Sequence, residues 1–151
     1  MSGNPREIDS AMDPQRLGAA ALAVALLFAA ATNYVPAFKD EGGKVFGLFA
    51  LDVYKDALHV ASGLWAAAAA ALGRGASRTF LRIFGPVYLV DGIVGVVTGS
   101  SFLDLSLLIE GIRPTPVIIK VLSSIPHLLL GTAGILFGWG GQGRAATLRS
   151  A

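Results

Sequence analysis

The feature that most constrains this chain is an uncharged run. From Leu17 to Val35 the sequence reads LGAAALAVALLFAAATNYV, 19 residues without a charge, close to the roughly 20 a helix needs to cross the hydrocarbon core of a bilayer. Three later segments resemble it in length and character: about 54–73, about 80–98 and 117–139. Composition agrees, since 54% of the residues are hydrophobic and only 15% are charged, against about 25% charged in soluble domains. The expected fold is all-α, an integral membrane bundle of four transmembrane helices in one domain spanning 17–139. The region before the first run is as acidic as it is basic, and the run exceeds the h-region of a signal peptide, so it reads as a span.

Between the spans lie polar or short apolar connections. Residues 1–16 hold Pro5 and Pro14 and read as an irregular tail, and 140–151 as a second tail. After Pro36, KDEGGK forms a loop, and VFGLFAL is too short to cross and is expected at the interface. RGASR after Gly73 reads as a short basic loop, and GSSFLDLSLLIEGIRPTP as a longer connection lying flat on the membrane. Arg6, Arg16, Arg74, Arg78, Arg82, Arg144 and Arg149 fall on one side; Lys39, Lys44, Lys55, Arg113 and Lys120 fall on the other. The positive-inside rule then places both termini in the cytoplasm, with the bacterial inner membrane as the expected location.

Some chemistry is excluded. The sequence has no cysteine, which removes disulfides, thiolate metal sites and a cysteine nucleophile. A net charge of +2, scattered along the chain, does not suggest a nucleic-acid partner. No nucleophile paired with a base, no phosphate-binding glycine loop and no metal-ligand spacing is evident, so an enzyme is not expected and neither is a dedicated metal site.

One carboxylate lies inside a span. Asp91 sits in FGPVYLVDGIVGVVTG, where an aspartate costs about 2.5–3.5 kcal/mol to insert, so it should face a polar partner across a helix contact. Tyr88, Gly92, Gly95 and Gly99 share its face at helical spacing, a small-residue surface that lets another helix approach. Lys120, Ser123 or Ser124, His127 and Gly131 form a stripe on the fourth span; Asp52, Asp56, His59 and Gly63 form one on the second. Asp91, Lys120, Tyr88 and Asp56 are thus expected in a buried polar cluster, and Gly63, Gly92, Gly95, Gly99 and Gly131 at helix contacts. Both histidines occur as His-x-x-x-Gly, HVASG and HLLLG, consistent with a repeat of two hairpins about an axis along the membrane normal.

Together, KVFGLFALDVYKDALHVASGLW, PHLLLGTAGIL and the four-span plan resemble the bacterial DUF4383 family of small four-helix membrane proteins, over about residues 16–139. A typical member carries a further histidine and asparagine just before the second-span histidine, where Lys55 and Asp56 stand here. SSIP replaces a more acidic stretch before His127. The family has no established activity, so the resemblance implies architecture rather than chemistry.

Three functional expectations follow. The first is an accessory or structural subunit of a larger membrane complex, photosynthetic or respiratory, with lipid and other membrane subunits as partners and no cofactor. The second is a self-contained membrane protein in which His59 and His127 ligate haem b or a (bacterio)chlorophyll, or in which His59, Asp91 and His127 carry protons. The third is a small transporter or channel formed by an oligomer.

Overall fold

A computed structural model describes residues 13–140. The outer parts of both expected tails, with Pro5, Arg6, Arg144 and Arg149, lie outside the described residues. Four long helices carry the structure: α1 (Pro14–Thr32), α2 (Val53–Leu72), α3 (Arg74–Thr98) and, after the short helix α4 (Ser106–Ile109), α5 (Val117–Trp139). Among the described residues there is no strand, only isolated bridges pairing Lys39 with Val45 and Val45 with Phe49. The chain is an all-α membrane bundle.

Three of these helices are long and apolar enough to cross a bilayer: α1, α3 and α5, with mean hydropathies of 1.5, 1.7 and 1.6. The fourth expected span, α2, has the length at 20 residues. It falls short in hydropathy because Lys55, Asp56 and His59 occupy its first two turns and its second half is mainly alanine.

The helix ends show local chemistry the sequence reading placed differently. Pro14 does not break the first segment. It opens α1 at the position where a proline costs no hydrogen bond, and the Asp13 side chain caps it by accepting from the Gln15 N–H. The expected basic loop RGASR is helical instead. Gly73, at φ 109°, makes the whole reversal between α2 and α3, a conformation other residues rarely adopt. Ser77, fully buried, then donates to the Ala69 carbonyl and ties the two helices at the turn. Gly99 is also reassigned: at φ +80° it stops α3 in the left-handed conformation, so it is a helix terminator before it is a packing residue.

Packing is organised in two pairs. α1 lies along α2 and α3 along α5, and the pairs meet through α2–α3, α1–α3 and α1–α5. The core where they meet holds Leu22, Leu26, Phe80, Leu81, Phe84 and Tyr88. The α3–α5 seam is backbone against backbone. A Cβ added at Gly131 would lie 2.3 Å from the Leu89 nitrogen, at Gly134 2.7 Å from the Gly85 Cα, and at Gly95 2.6 Å from Ser124 Oγ. Gly92 meets Leu128 in the same way, and Gly63 of α2 meets Leu27 of α1. Without a hydrophobic drive between helices in lipid, such close approach supplies the van der Waals contact that holds spans together. In each pair the glycine of His-x-x-x-Gly faces the partner helix.

At the end carrying Arg16, Arg74 and Arg82, side chains satisfy helix carbonyls that lack an intrahelical partner. Arg16 donates to Ala70 O, and Arg82 to Gly138 O while lying over the Trp139 ring. The opposite end is closed by the connections 33–52 and 99–116. The expected flat segment there contains α4, and Leu108 and Ile112 are exposed.

Candidate functional site

Asp91 lies on α3, 1% exposed, two turns before the helix stops at Gly99. The chain then folds back over it. Its Oδ1 accepts from the N–H groups of Phe102 (2.8 Å) and Leu103 (3.1 Å), and the Ser101 hydroxyl lies 2.8 Å from both carboxylate oxygens. Oδ2 accepts from Nδ1 of His127 at 2.5 Å. Four donors therefore surround a carboxylate that water does not reach, the condition for burying one at tolerable cost.

The pairing also fixes the imidazole. A carboxylate oxygen accepts here, so Nδ1 of His127 donates to it and Nε2 is directed away from Asp91. Beside it, the His59 ring stands edge-on with centroids 6.0 Å apart, and the Tyr88 ring lies 5.1 Å away on another side. Tyr88 donates its hydroxyl to Ser62 at 2.9 Å. His59 is 8% exposed, and its Nδ1 has no hydrogen-bond partner among the described residues.

His59, Asp91 and His127 border a cavity of ≈ 410 Å³ between the helix pairs, beneath the two connections. Most of its wall is carbon, including Phe28, Phe49, Leu58 and Ile119; its polar wall includes His59, Asp91 and His127, with Lys55 and Asp104 nearby. Lys55 makes a close ion pair with Asp52 and stands 3.7 Å from Asp104, which is itself buried and accepts from the Ser106 N–H at 2.9 Å. Asp52 also caps α2 by accepting from the N–H groups of Tyr54 and Lys55. Its partial burial pushes the carboxyl pKa up, but the Lys55 ammonium and these amide hydrogen bonds outweigh that and hold it below the usual carboxylate value.

The expected polar cluster is thus brought together in part. Asp91, Tyr88, His59 and His127 converge. Lys120 does not join them: its ammonium donates to the Val97 carbonyl at 3.2 Å, because about two helical turns separate it from the ring of His127. Asp56 stands apart as well, accepting from Asn33 (2.7 Å) and the Tyr34 hydroxyl (2.8 Å) and so joining the start of α2 to the end of α1. Sequence reasoning overlooked Ser101, Lys55 and Asp104. The Ser- and Asp-rich SSFLDLS was the available signal, since such residues favour side-chain-capped turns. Among the described residues, no three His, Asp or Glu side chains are grouped to hold a metal ion.

Comparison with known families adds the architecture's identity. The family model described as "Domain of unknown function (DUF4383)" matches residues 15–108, more than half of the chain. The chain belongs to the DUF4383 family. The match covers α1, α2, α3 and the turn that folds onto Asp91, and it stops before α5 and His127. No curated protein and no solved structure matches this DUF4383 chain.

Proposed function

We propose that this DUF4383 protein is a non-catalytic, four-span protein of the bacterial inner membrane that uses His59, Asp91 and His127 to hold a small ligand or a proton. The observation that carries this reading is the convergence of His59, Asp91 and His127 from three helices on one cavity. Intramembrane ionisable residues gathered on a cavity are functional candidates by default.

The same geometry supports α2 as the fourth span. Its 20 residues reach about 30 Å, and its polar residues are turned inward, where Asp56 and His59 are buried. With four spans, Arg16 at the start of α1 and the basic residues of the α2–α3 turn fall on one side, which supports cytoplasmic termini.

A second reading, an accessory subunit docked on a larger energy-transducing complex, is favoured by α5. Only 22% of its span is buried, against 44% for α1 and α3, which leaves a broad face including Ile118, Leu122 and Leu129 open to lipid or to another subunit. Native mass of the protein, extracted in mild detergent from its own membranes, tests both readings. A small assembly with ligand-sized excess mass, lost in His59→Phe, supports the pocket, and visible absorbance would mark that ligand as haem or chlorophyll. A large assembly of fixed stoichiometry would support the subunit reading, and a bare mass unaffected by His59→Phe would overturn the pocket.

A further inference from the structure

We infer that the cavity admits one acyl chain of a membrane phospholipid, entering from the bilayer through a mouth between α1 and α5, with the lipid phosphate held at the rim. The inference goes beyond the pocket reading above, since it concerns the carbon wall and the mouth and not the histidines. The mouth follows from how the two helices meet. They are joined at the Arg16 end, where Gln15 donates to the Gly140 carbonyl at 3.0 Å and Gly18 packs against Phe137. At the other end the same helices line the cavity instead, with Phe28, Ala29 and Thr32 on one side and Ile119, Ser123 and Pro126 on the other. Phe28 is 55% exposed and Ile119 38%, so the cavity reaches the surface between them. α1 ends at Thr32 and α5 starts at Val117, which sets Phe28 about 6 Å and Ile119 about 3 Å inside the helix ends. At that depth a membrane bundle is bordered by lipid.

The wall suits hydrocarbon. Its hydroxyl groups spend their protons on the chain itself: Thr32 donates to the Ala29 carbonyl, Ser123 and Ser124 to that of Lys120, Ser100 to that of Gly111, and Ser101 to Asp91. Much of the remaining wall is aromatic or aliphatic carbon, from Phe28, Phe49, Leu58 and Ile119 among others. A bound water needs about two to four polar partners, and a cavity that lacks them stays dry. An empty space of ≈ 410 Å³ would in turn forfeit the dispersion contacts of its lining. A flexible chain drawn from the bilayer restores those contacts and asks for no polar partner.

Charge at the rim completes the outline of an amphiphile. Of the charged side chains bordering the cavity, Asp91 and Asp104 are buried, 1% and 5% exposed, and Lys55 is paired with Asp52. Those that reach the surface are cations: Lys44 is exposed, and the Arg113 side chain is 35% exposed while paired with Glu110. Both stand on the connections beyond the helix ends, the level at which lipid phosphates lie, and an ammonium or guanidinium forms charge-assisted hydrogen bonds to phosphate oxygens. Carbon within and positive charge at the mouth match one lipid, its chain in the cavity and its phosphate outside.

Photocrosslinking of the full chain in phosphatidylcholine vesicles, doped with a phosphatidylglycerol that carries a diazirine at one chain end, tests this. The deciding residue is Leu58, which borders the cavity and packs against the core. The expected result is label on Leu58 in addition to exposed residues such as Val24 and Leu129. Ala29→Trp places an indole in the mouth and should lower the Leu58 label about tenfold with the Val24 label unchanged, while Ala21→Trp, on the exposed face of α1, lowers neither. Label confined to the exposed residues overturns the inference without need of any variant, and so does equal Leu58 label in Ala29→Trp. A diacylglycerol with the same diazirine and no phosphate should label Leu58 less; equal labelling removes the phosphate contact and with it the phospholipid. Absence of Leu58 label with a native mass that still changes in His59→Phe leaves the pocket reading standing. Leu58 label with a native mass unaffected by His59→Phe removes that reading alone.

Discussion

Oδ2 of Asp91 on α3 accepts a 2.5 Å hydrogen bond from Nδ1 of His127 on α5, while Oδ1 of the same carboxylate accepts from the Phe102 and Leu103 amides. One side chain thus fastens two spans and the connection between them. A carboxylate that would be expensive to insert alone is satisfied by the chain that follows it, which explains how an aspartate stands in an apolar helix.

Replacing Asp91 with alanine leaves the Ser101 hydroxyl, two amides and an imidazole buried without their acceptor. A buried donor left without its acceptor costs about 1–3 kcal/mol, and four are stranded together, so Asp91→Ala is expected to unfold at markedly lower temperature. Hydrogen exchange locates the effect: the amides of Phe102 and Leu103 should lose protection before those of α3. Retained protection there would contradict the anchoring role.

The α3–α5 seam predicts opposite signs for two glycine-to-alanine substitutions. At Gly131 the new Cβ would meet the Leu89 backbone at 2.3 Å, which no rotamer change relieves, so the helices must part at a cost of about 1–3 kcal/mol. At Gly75 nothing lies within 4 Å of the same atom, and alanine should stabilise by about 0.5 kcal/mol through helix propensity and a stiffer unfolded chain. Melting temperatures of Gly131→Ala and Gly75→Ala in one detergent give the comparison, and two shifts of the same sign would be inconsistent with this packing.

Lys55 and Asp104 should be coupled. Asp104 is 4% exposed at its side chain, and Lys55 stands 3.7 Å from it. Lys55→Met leaves a buried carboxylate without its cation and should cost more than Lys55→Met made in an Asp104→Asn background. A double-mutant cycle reads the difference directly. Additive effects would mean that Asp52 alone holds the lysine.

Much of this was legible in the sequence because a bilayer limits the options. Uncharged runs fix where helices lie, and a lone aspartate among small residues signals a contact face, as Asp91, Gly92 and Gly95 show. The illegible parts depend on tertiary return. Nothing local to Asp91 says that Ser101 and two amides will fold back upon it, because that follows from where Gly99 stops the helix. Lys120 and His127 share a stripe on paper, yet α5 crosses α3 so that the lysine reaches Val97 and the histidine reaches Asp91. Asp56 lies one turn from His59, but the end of α1, with Asn33 and Tyr34, arrives first. Arg74 to Arg78 read as a loop because of composition, although one glycine suffices for the turn.

Acid should loosen the end of the bundle where α2 starts, through Asp52. Its pKa lies below the usual carboxylate value in the folded chain, since the Lys55 ammonium and the capping amides together outweigh the effect of partial burial. A carboxyl depressed in the folded state contributes stability above its unfolded pKa, and that contribution disappears as pH falls through the folded value. The side chain is 42% exposed, so solvent screening keeps the effect small. Melting temperatures of the native chain and of Asp52→Asn, followed from about pH 6 to about pH 3, should differ at the upper end and converge at the lower. A constant gap would assign the acid response to other carboxylates, and convergence only toward high pH would reverse the sign inferred for Asp52.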